Sequence, residues 1–300
     1  MNQINSQDTQ QGHSALIKQM QLPSNFYEIV REIYQPLSQI ILESKKSRPL
    51  LVSINGAQGS GKSTMTAFLK HIFESELECR VANLSLDDFY STREERNILA
   101  QNVHPLFATR GVPGTHDVTL LEHILDQLIG QQPCRSPRFN KAIDDRCEET
   151  EWADYSDPVE IILFEGWCNN SPVQSRQALS EPVNELERNE DPQGVWRHYA
   201  NEQLIDYQRR LFERADMCIM LKAPDFECVH EWRGLQEKKL KTSSVHQEQN
   251  FVMNEHELSR FIQHFERISR HTLSHLPETA DIVLPVAADH SITGIVRNSD

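Results

Sequence analysis

Residues 56–63 read Gly-Ala-Gln-Gly-Ser-Gly-Lys-Ser and follow the apolar run Leu50-Leu51-Val52-Ser53-Ile54. That spelling satisfies G-x-x-x-x-G-K-[ST] in full. Its position after a strand-like run and ahead of a helix expected over Thr64 to Phe73 commits this part of the chain to strand, phosphate-cradling loop and helix. Glycines let successive backbone N–H groups turn inward around a phosphate, and the helix N-terminus adds its partial positive charge. The expected nucleotide contacts are Gly56, Ala57, Gln58, Gly59, Ser60, Gly61, Lys62, Ser63 and Thr64. Lys62 is placed to bridge the β- and γ-phosphates and Ser63 to hold Mg²⁺. The motif predicts binding of ATP or GTP.

The rest of the pattern implies an α/β fold with a mostly parallel central sheet flanked by helices. Apolar runs at Arg80–Leu86, Val159–Phe164, Met217–Leu221 and Asp281–Leu284 predict four further strands, each separated from the next by helical stretches. Val159–Phe164 is almost wholly apolar, as a strand buried on both faces should be. In such sheets the ligand sits beyond the carboxyl ends of the strands. Residues 24–44 show helical spacing interrupted by Pro36 and predict two helical pieces that serve as scaffold. Asp117 to Ile129 predicts an amphipathic helix capped by Asp117 or Thr119, with Thr119 and Glu122 at capping-box spacing. Residues 180–194 and 242–252 are loops by composition.

Three hundred residues, 38% of them hydrophobic, can bury one large core. The expected organisation is a flexible tail over 1–20 and a single kinase-sized domain over 21–300. A basic lid at about 225–252 would close over it. A formal net charge of −14 with no basic stripe excludes a nucleic-acid surface. Six scattered cysteines without a C-x-x-C pair, and no apolar stretch fit to span a membrane or lead secretion, predict a reduced, cytoplasmic setting. The sequence is silent on oligomeric state.

Candidate chemistry gathers where strands end. Asp87 and Asp88 follow the second strand, on the rim that carries the phosphate loop, where a carboxylate could orient an acceptor hydroxyl and take its proton. Tyr90 lies just beyond. Glu165 ends the third strand as a candidate Mg²⁺ partner, and Gly166 lets the chain turn away. The loop Arg110–Asp117 can present Arg110 and His116 to a ligand. The turn after Pro137 offers Arg138 and Lys141 to a carboxylate or phosphate. Arg233, on a helix expected over Cys228 to Leu240, could neutralise charge on a transferred group. His271 and His275 have metal-ligand spacing but no completing ligand. The Glu and Asp residues of 180–194 likewise lack an ordered ligand pattern.

Taken in order, GAQGSGKST, SLDDFY, RGVPGTHD, PRFNKA, FEGW, PVNELERNEDPQGVWR and EWRGLQEKKL resemble the D-glycerate 3-kinase family of plants, fungi and bacteria. That family lies within the phosphoribulokinase, uridine kinase and pantothenate kinase group of P-loop kinases. The resemblance runs from about Pro49 to the RFIQHFERISRHTL stretch (Arg260 to Leu273). RGVPGTHD, EGW and WRGLQE are its selective elements. It implies that Asp87 acts as catalytic base, Lys62 and Ser63 contact phosphate and Mg²⁺, Glu165 is the strand-end acid and Arg233 the lid arginine. Charge and position further suggest Arg138 as the anchor of the acceptor's carboxylate. Asn140 stands where the family tends to carry an acid, and Phe265 where Tyr is common. The expectation is therefore an ATP- and Mg²⁺-dependent kinase that phosphorylates D-glycerate to 3-phosphoglycerate. Its rivals are a kinase of the same fold for a nucleoside or pantothenate, and a nucleotide-dependent switch or ATPase acting on a protein.

Overall fold

The apolar run ahead of the phosphate loop forms β1 (Leu50–Gly56), and every one of its seven residues is buried. A computed structural model describes residues 6–45, 48–234 and 255–298. Later strands are β2 (Val81–Ser85), the short β3 (Cys134–Ser136), β4 (Phe139–Asn140), β5 (Asp145–Arg146) and β6 (Ala153–Tyr155), then β7 (Ile161–Gly166), β8 (Met217–Lys222), β9 (Ile282–Pro285) and β10 (Val296–Arg297). Five of them lie parallel in the order β2–β7–β1–β8–β9, and β10 pairs antiparallel with β9 at the edge. All five strands read from the apolar runs are therefore present, in one sheet. β7 is buried at all six positions, which suits its place between β1 and β2.

Successive side chains of a strand point to opposite faces, and the core divides accordingly. Val52, Ile54, Ile161 and Leu163 pack on one face with Phe68, Leu69 and Ile72 of α4 (Lys62–Ser75). Leu51, Ile162 and Phe164 pack on the other with Leu121 and Leu125 of α6 (Val118–Ile129) and Leu204 and Tyr207 of α8 (Val195–Arg210). The result is the expected three-layer α/β arrangement. No described helix is long and apolar enough to cross a membrane.

Several local expectations are corrected. The segment read as a tail holds α1 (Ser6–Gln19), which buries His13 and Ile17; His13 lies 2.8 Å from Glu76 just past α4. Pro36 does not divide the next stretch. α2 (Phe26–Ile29) runs through a π-helical turn (Val30–Tyr34) into α3 (Gln35–Glu43), and Pro36 falls in the first turn of α3. The wider turn just before Pro36 fits the loss of its N–H and the bulk of its ring. α6 is capped by Asp117, whose Oδ1 accepts from the Leu120 amide at 3.0 Å. The acidic segment 180–194 holds α7 (Glu185–Glu190). There Glu187 is fully buried against Arg267, with Nε to Oε1 at 2.7 Å and Nη2 to Oε2 at 2.6 Å, so that carboxylate is committed to an internal ion pair. Of the expected lid, residues 227–234 are helical, while 235–254, with the loop at 242–252, lie outside the described residues.

Candidate active site

Strand register brings the candidate residues to one rim. Glu165 on β7 pairs in register with Ile54 of β1 on one side and Ser85 of β2 on the other. Asp87, two residues past Ser85, and the phosphate loop, which leaves β1, thus meet Glu165 at the carboxyl edge of the sheet. The chain turns away at Gly166, where a Cβ would fall 2.1 Å from Asn169 Oδ1. Only glycine lets Glu165 be followed by so sharp a departure.

The phosphate loop has the form that the motif requires. Gly59 and Gly61 take φ of 80° and 95°, in the left-handed region, and Gly61 is the N-cap of α4. Gly59 also presses on the helix that follows β8, since a Cβ there would lie 2.7 Å from Trp232 Cβ. Lys62 is only 9% exposed, with Nζ donating to Ala57 O at 3.1 Å. Burial lowers its pKa, while the charges of Glu165 and Asp87 oppose that shift. Both polar atoms of the Gln58 amide and Ser60 Oγ are buried without a partner. Buried polar groups are normally satisfied, so a loop of this shape with orphaned polar groups fits a phosphate chain. Ser63 Oγ donates to Glu165 Oε1 at 2.8 Å. One hydroxyl beside one carboxylate suits a Mg²⁺ ion that takes its other ligands from water and phosphate. No cluster of three His, Cys, Asp or Glu exists among the described residues, His271 and His275 included.

Next to this loop is a cavity bordered by Lys62, Asp87, Tyr90, Arg110, Trp167 and Arg233. Asp87 holds two partners, accepting from Tyr90 OH at 2.8 Å and from Lys141 Nζ at 2.7 Å. Burial pushes its carboxyl upward. The charge and hydrogen bond of Lys141, the Tyr90 bond and Lys62 outweigh that push and hold it below the usual carboxylate range. Tyr90 is shifted well above its ordinary value by burial and by Asp87. Asp87 is thus an ionised acceptor and Tyr90 a neutral donor.

His116 does not reach the cavity. It is buried behind Tyr90, stacked on that ring at 4.6 Å, with Nδ1 2.9 Å from Tyr207 OH. Burial lowers its pKa to about 3, so it is a neutral prop. Arg138 pairs with Asp88 at 2.7 Å, and Asp88 also accepts from the Phe139 amide at 3.1 Å. Both line an adjoining recess that Asp87, Lys141, Ser63 and Glu165 also border, rather than the cavity that holds Tyr90 and Trp167. Lys141 rides on the turn between β4 and β5. Arg233 borders the cavity with its guanidinium 5.7 Å from the Phe261 ring. Lys238 and Lys239, further along the segment expected as a basic lid, lie outside the described residues.

Two features were not anticipated. Trp167, Phe261 and Phe265 wall the cavity; the Trp167 and Phe265 rings meet edge-on at 5.0 Å, and Trp167 Nε1 donates to Gly111 O at 3.0 Å. Only the Trp after Glu165-Gly166 was signalled by a motif. On the outer side of the phosphate loop, Phe26, Ile29, Tyr34, Trp232, His290 and Ile292 border a second cavity of about 510 Å³. The helices read as scaffold therefore border a cavity as well as the core. Their apolar stripe spells ordinary packing, and nothing local distinguishes a core face from a cavity wall.

With this geometry in place, known proteins give a consistent picture. The KAP family P-loop domain matches residues 30–128. Over 230 residues the chain is 31% identical to the uncharacterized kinase mug58 of Schizosaccharomyces pombe, covering 73% of this chain and 79% of the relative. It is 26% identical over 211 residues to the chloroplastic D-glycerate 3-kinase of Arabidopsis thaliana, spanning 65% of this chain and 44% of that protein. The structure of D-glycerate 3-kinase from Cryptococcus neoformans superposes with a TM-score of 0.75 at 25% identity, over 89% of this chain and 99% of that one.

Proposed function

This chain belongs to the D-glycerate 3-kinase-like family of P-loop small-molecule kinases, and on that premise we propose that it transfers the γ-phosphoryl group of ATP to a hydroxyl of D-glycerate, giving 3-phosphoglycerate. The observation that carries this reading is Asp87: an ionised carboxylate fixed by Tyr90 and Lys141, in a cavity that also holds Lys62 and Arg233. A carboxylate in that position serves an alcohol acceptor, and the surrounding cations serve a small anion beside a triphosphate.

Bound Mg-ATP supplies the phosphoryl group and a Lewis acid. The phosphate loop would bind the nucleotide, with Lys62 toward the terminal phosphates, and Ser63 and Glu165, already 2.8 Å apart, would hold Mg²⁺. The second cavity, bordered by Phe26, Tyr34 and Trp232, would receive the base and ribose. Asp87 Oδ2 is covered by Lys141 and becomes available to the acceptor hydroxyl once that ammonium turns to the substrate's charge. Tyr90 keeps the other oxygen, Oδ1, fixed, so the accepting atom is already oriented. Arg233 neutralises charge on the transferring group, and the aromatic walls exclude water.

The test is ADP release from Mg-ATP with D-glycerate, L-glycerate, pantothenate, uridine or ribulose 5-phosphate, against a control without acceptor. Stimulation by D-glycerate alone is the expected result. Stimulation only by another compound overturns the acceptor and keeps the kinase. Equal release without any acceptor favours an ATPase or switch.

A further inference from the structure

We propose that Arg110, rather than Arg138, selects an acidic acceptor by binding its carboxylate. The inference rests on the reading of the acceptor as a small acid and adds the residue that recognises it.

Three observations carry it. The first is place. Arg110 borders the same cavity as Asp87, Tyr90, Lys141 and Trp167, and its side chain is 18% exposed. Arg138 is 42% exposed and borders the adjoining recess, which shares Asp87, Lys141, Ser63 and Glu165 with the cavity but lacks Tyr90, Arg110 and Trp167.

The second is charge. Arg138 is matched one to one by Asp88. Arg110 shares a single carboxylate, Asp144, with Arg96, which is wholly buried and bonds Asp144 Oδ2 at 2.7 Å. Asp145 adds a further negative charge that acts on Arg96, with its Oδ1 accepting from the Arg93 and Arg146 amides, and Asp117 pairs with the Arg146 guanidinium at 3.1 Å. Asp144 is the carboxylate that both guanidinium groups contact, and an anionic ligand would give Arg110 a counter-ion of its own.

The third is rigidity. Arg110 lies over the Phe139 ring at 5.5 Å, with Arg96 over the same ring at 5.7 Å. The adjacent Gly111, at φ 144°, is pressed so close to Phe265 that a Cβ would lie 2.5 Å from that ring. A guanidinium held this way is preorganised for bidentate carboxylate binding. Asp144 sits in the turn that also carries Lys141, so one latch positions both cations.

The experiment compares the full-length chain with Arg110→Ala, Arg110→Lys and Arg138→Ala in steady-state kinetics with Mg-ATP. D-glycerate is the acid and glycerol its neutral analogue. Arg110→Ala is expected to raise KM for D-glycerate roughly 10- to 100-fold, the scale of a charge-assisted pair. It should collapse the kcat/KM preference over glycerol while KM for ATP stays near wild type. Arg110→Lys restores charge without the planar fork and recovers only part of the loss. Because Asp144 keeps Arg96, the melting temperature should hold, which separates binding from folding. A wild-type-like KM in Arg110→Ala, with the rise appearing in Arg138→Ala, overturns the inference and leaves the kinase assignment standing. If the wild type uses a different acid, the same variants are read on that acid. If it uses only neutral alcohols, both the acid reading and the inference fall.

Discussion

Replacing Asp87 by Asn keeps the size of the side chain and one oxygen for Tyr90, and removes only the charge and the second acceptor. Two magnitudes then separate. Asp87 and Lys141 are 34% and 57% exposed, so losing their ion pair costs at most about 1 kcal/mol of stability, or about 2–4 °C in melting temperature. A positioned general base contributes roughly 10²- to 10⁴-fold in rate, equivalent to about 3–5 kcal/mol. The variant should therefore remain folded and lose kcat by at least about 100-fold. Glu165, the larger of the two carboxylate influences that favour a protonated Lys62, is untouched, so nucleotide affinity should stay near wild type. Coupled ADP release gives kcat, titration with a fluorescent ATP analogue gives affinity, and a thermal melt checks the fold. A kcat within threefold of wild type at saturating substrates would refute the assignment of Asp87 as base.

Glu165→Gln should raise the Mg²⁺ concentration needed for half-maximal rate at fixed ATP, because Ser63 Oγ would then face an amide; an unchanged Mg²⁺ titration argues against a metal role. Gly59→Ala should weaken nucleotide binding at least tenfold. It forces a side chain into the left-handed region, at a cost of about 1–2 kcal/mol, and against Trp232, and a retained affinity in the same fluorescence titration would count against the loop geometry. Lys141→Ala should move the acid limb of kcat/KM for the acceptor, which reports the free enzyme, to higher pH. Burial, the largest influence on Asp87, raises its pKa, and Lys141 is the main group opposing it, so without Lys141 protonation begins at higher pH. A pH–rate profile between 4 and 8 that coincides with wild type would contradict this.

The phosphate loop and all five parallel strands were legible because each is spelled locally, in glycine spacing or in an apolar run bounded by polar residues. Asp87, Glu165, Lys62 and Ser63 were legible for the same reason: a residue at the end of a recognised strand has its place fixed by the topology. The long-range partners were not. Whether Arg138 or Arg110 faces the cavity depends on where Asp88 and Asp144 lie after folding, and both arginines sit in loops of similar composition. His116 looked available from its motif, yet its burial is decided by Tyr207, 91 residues away. The tail read over 1–20 failed differently. Its polar composition hid His13 and Ile17, whose packing against α4 is a tertiary gain that propensity does not record.

β2 and β7 are adjacent in the sheet, yet residues 86–160 separate them in the chain. Asp87, Tyr90, Arg110, His116, Arg138, Lys141 and Asp144 all belong to this one excursion. The phosphate loop and the outer cavity are built from segments before β2 or after β7. On the proposed reading most of the acceptor's polar contacts come from this one stretch, while Trp167, Arg233, Phe261 and Phe265 close the cavity from segments after β7; the stretch is a cassette whose two ends enter neighbouring strands. A lineage could exchange or remodel that cassette to acquire a new acceptor while inheriting the phosphoryl-donor half intact.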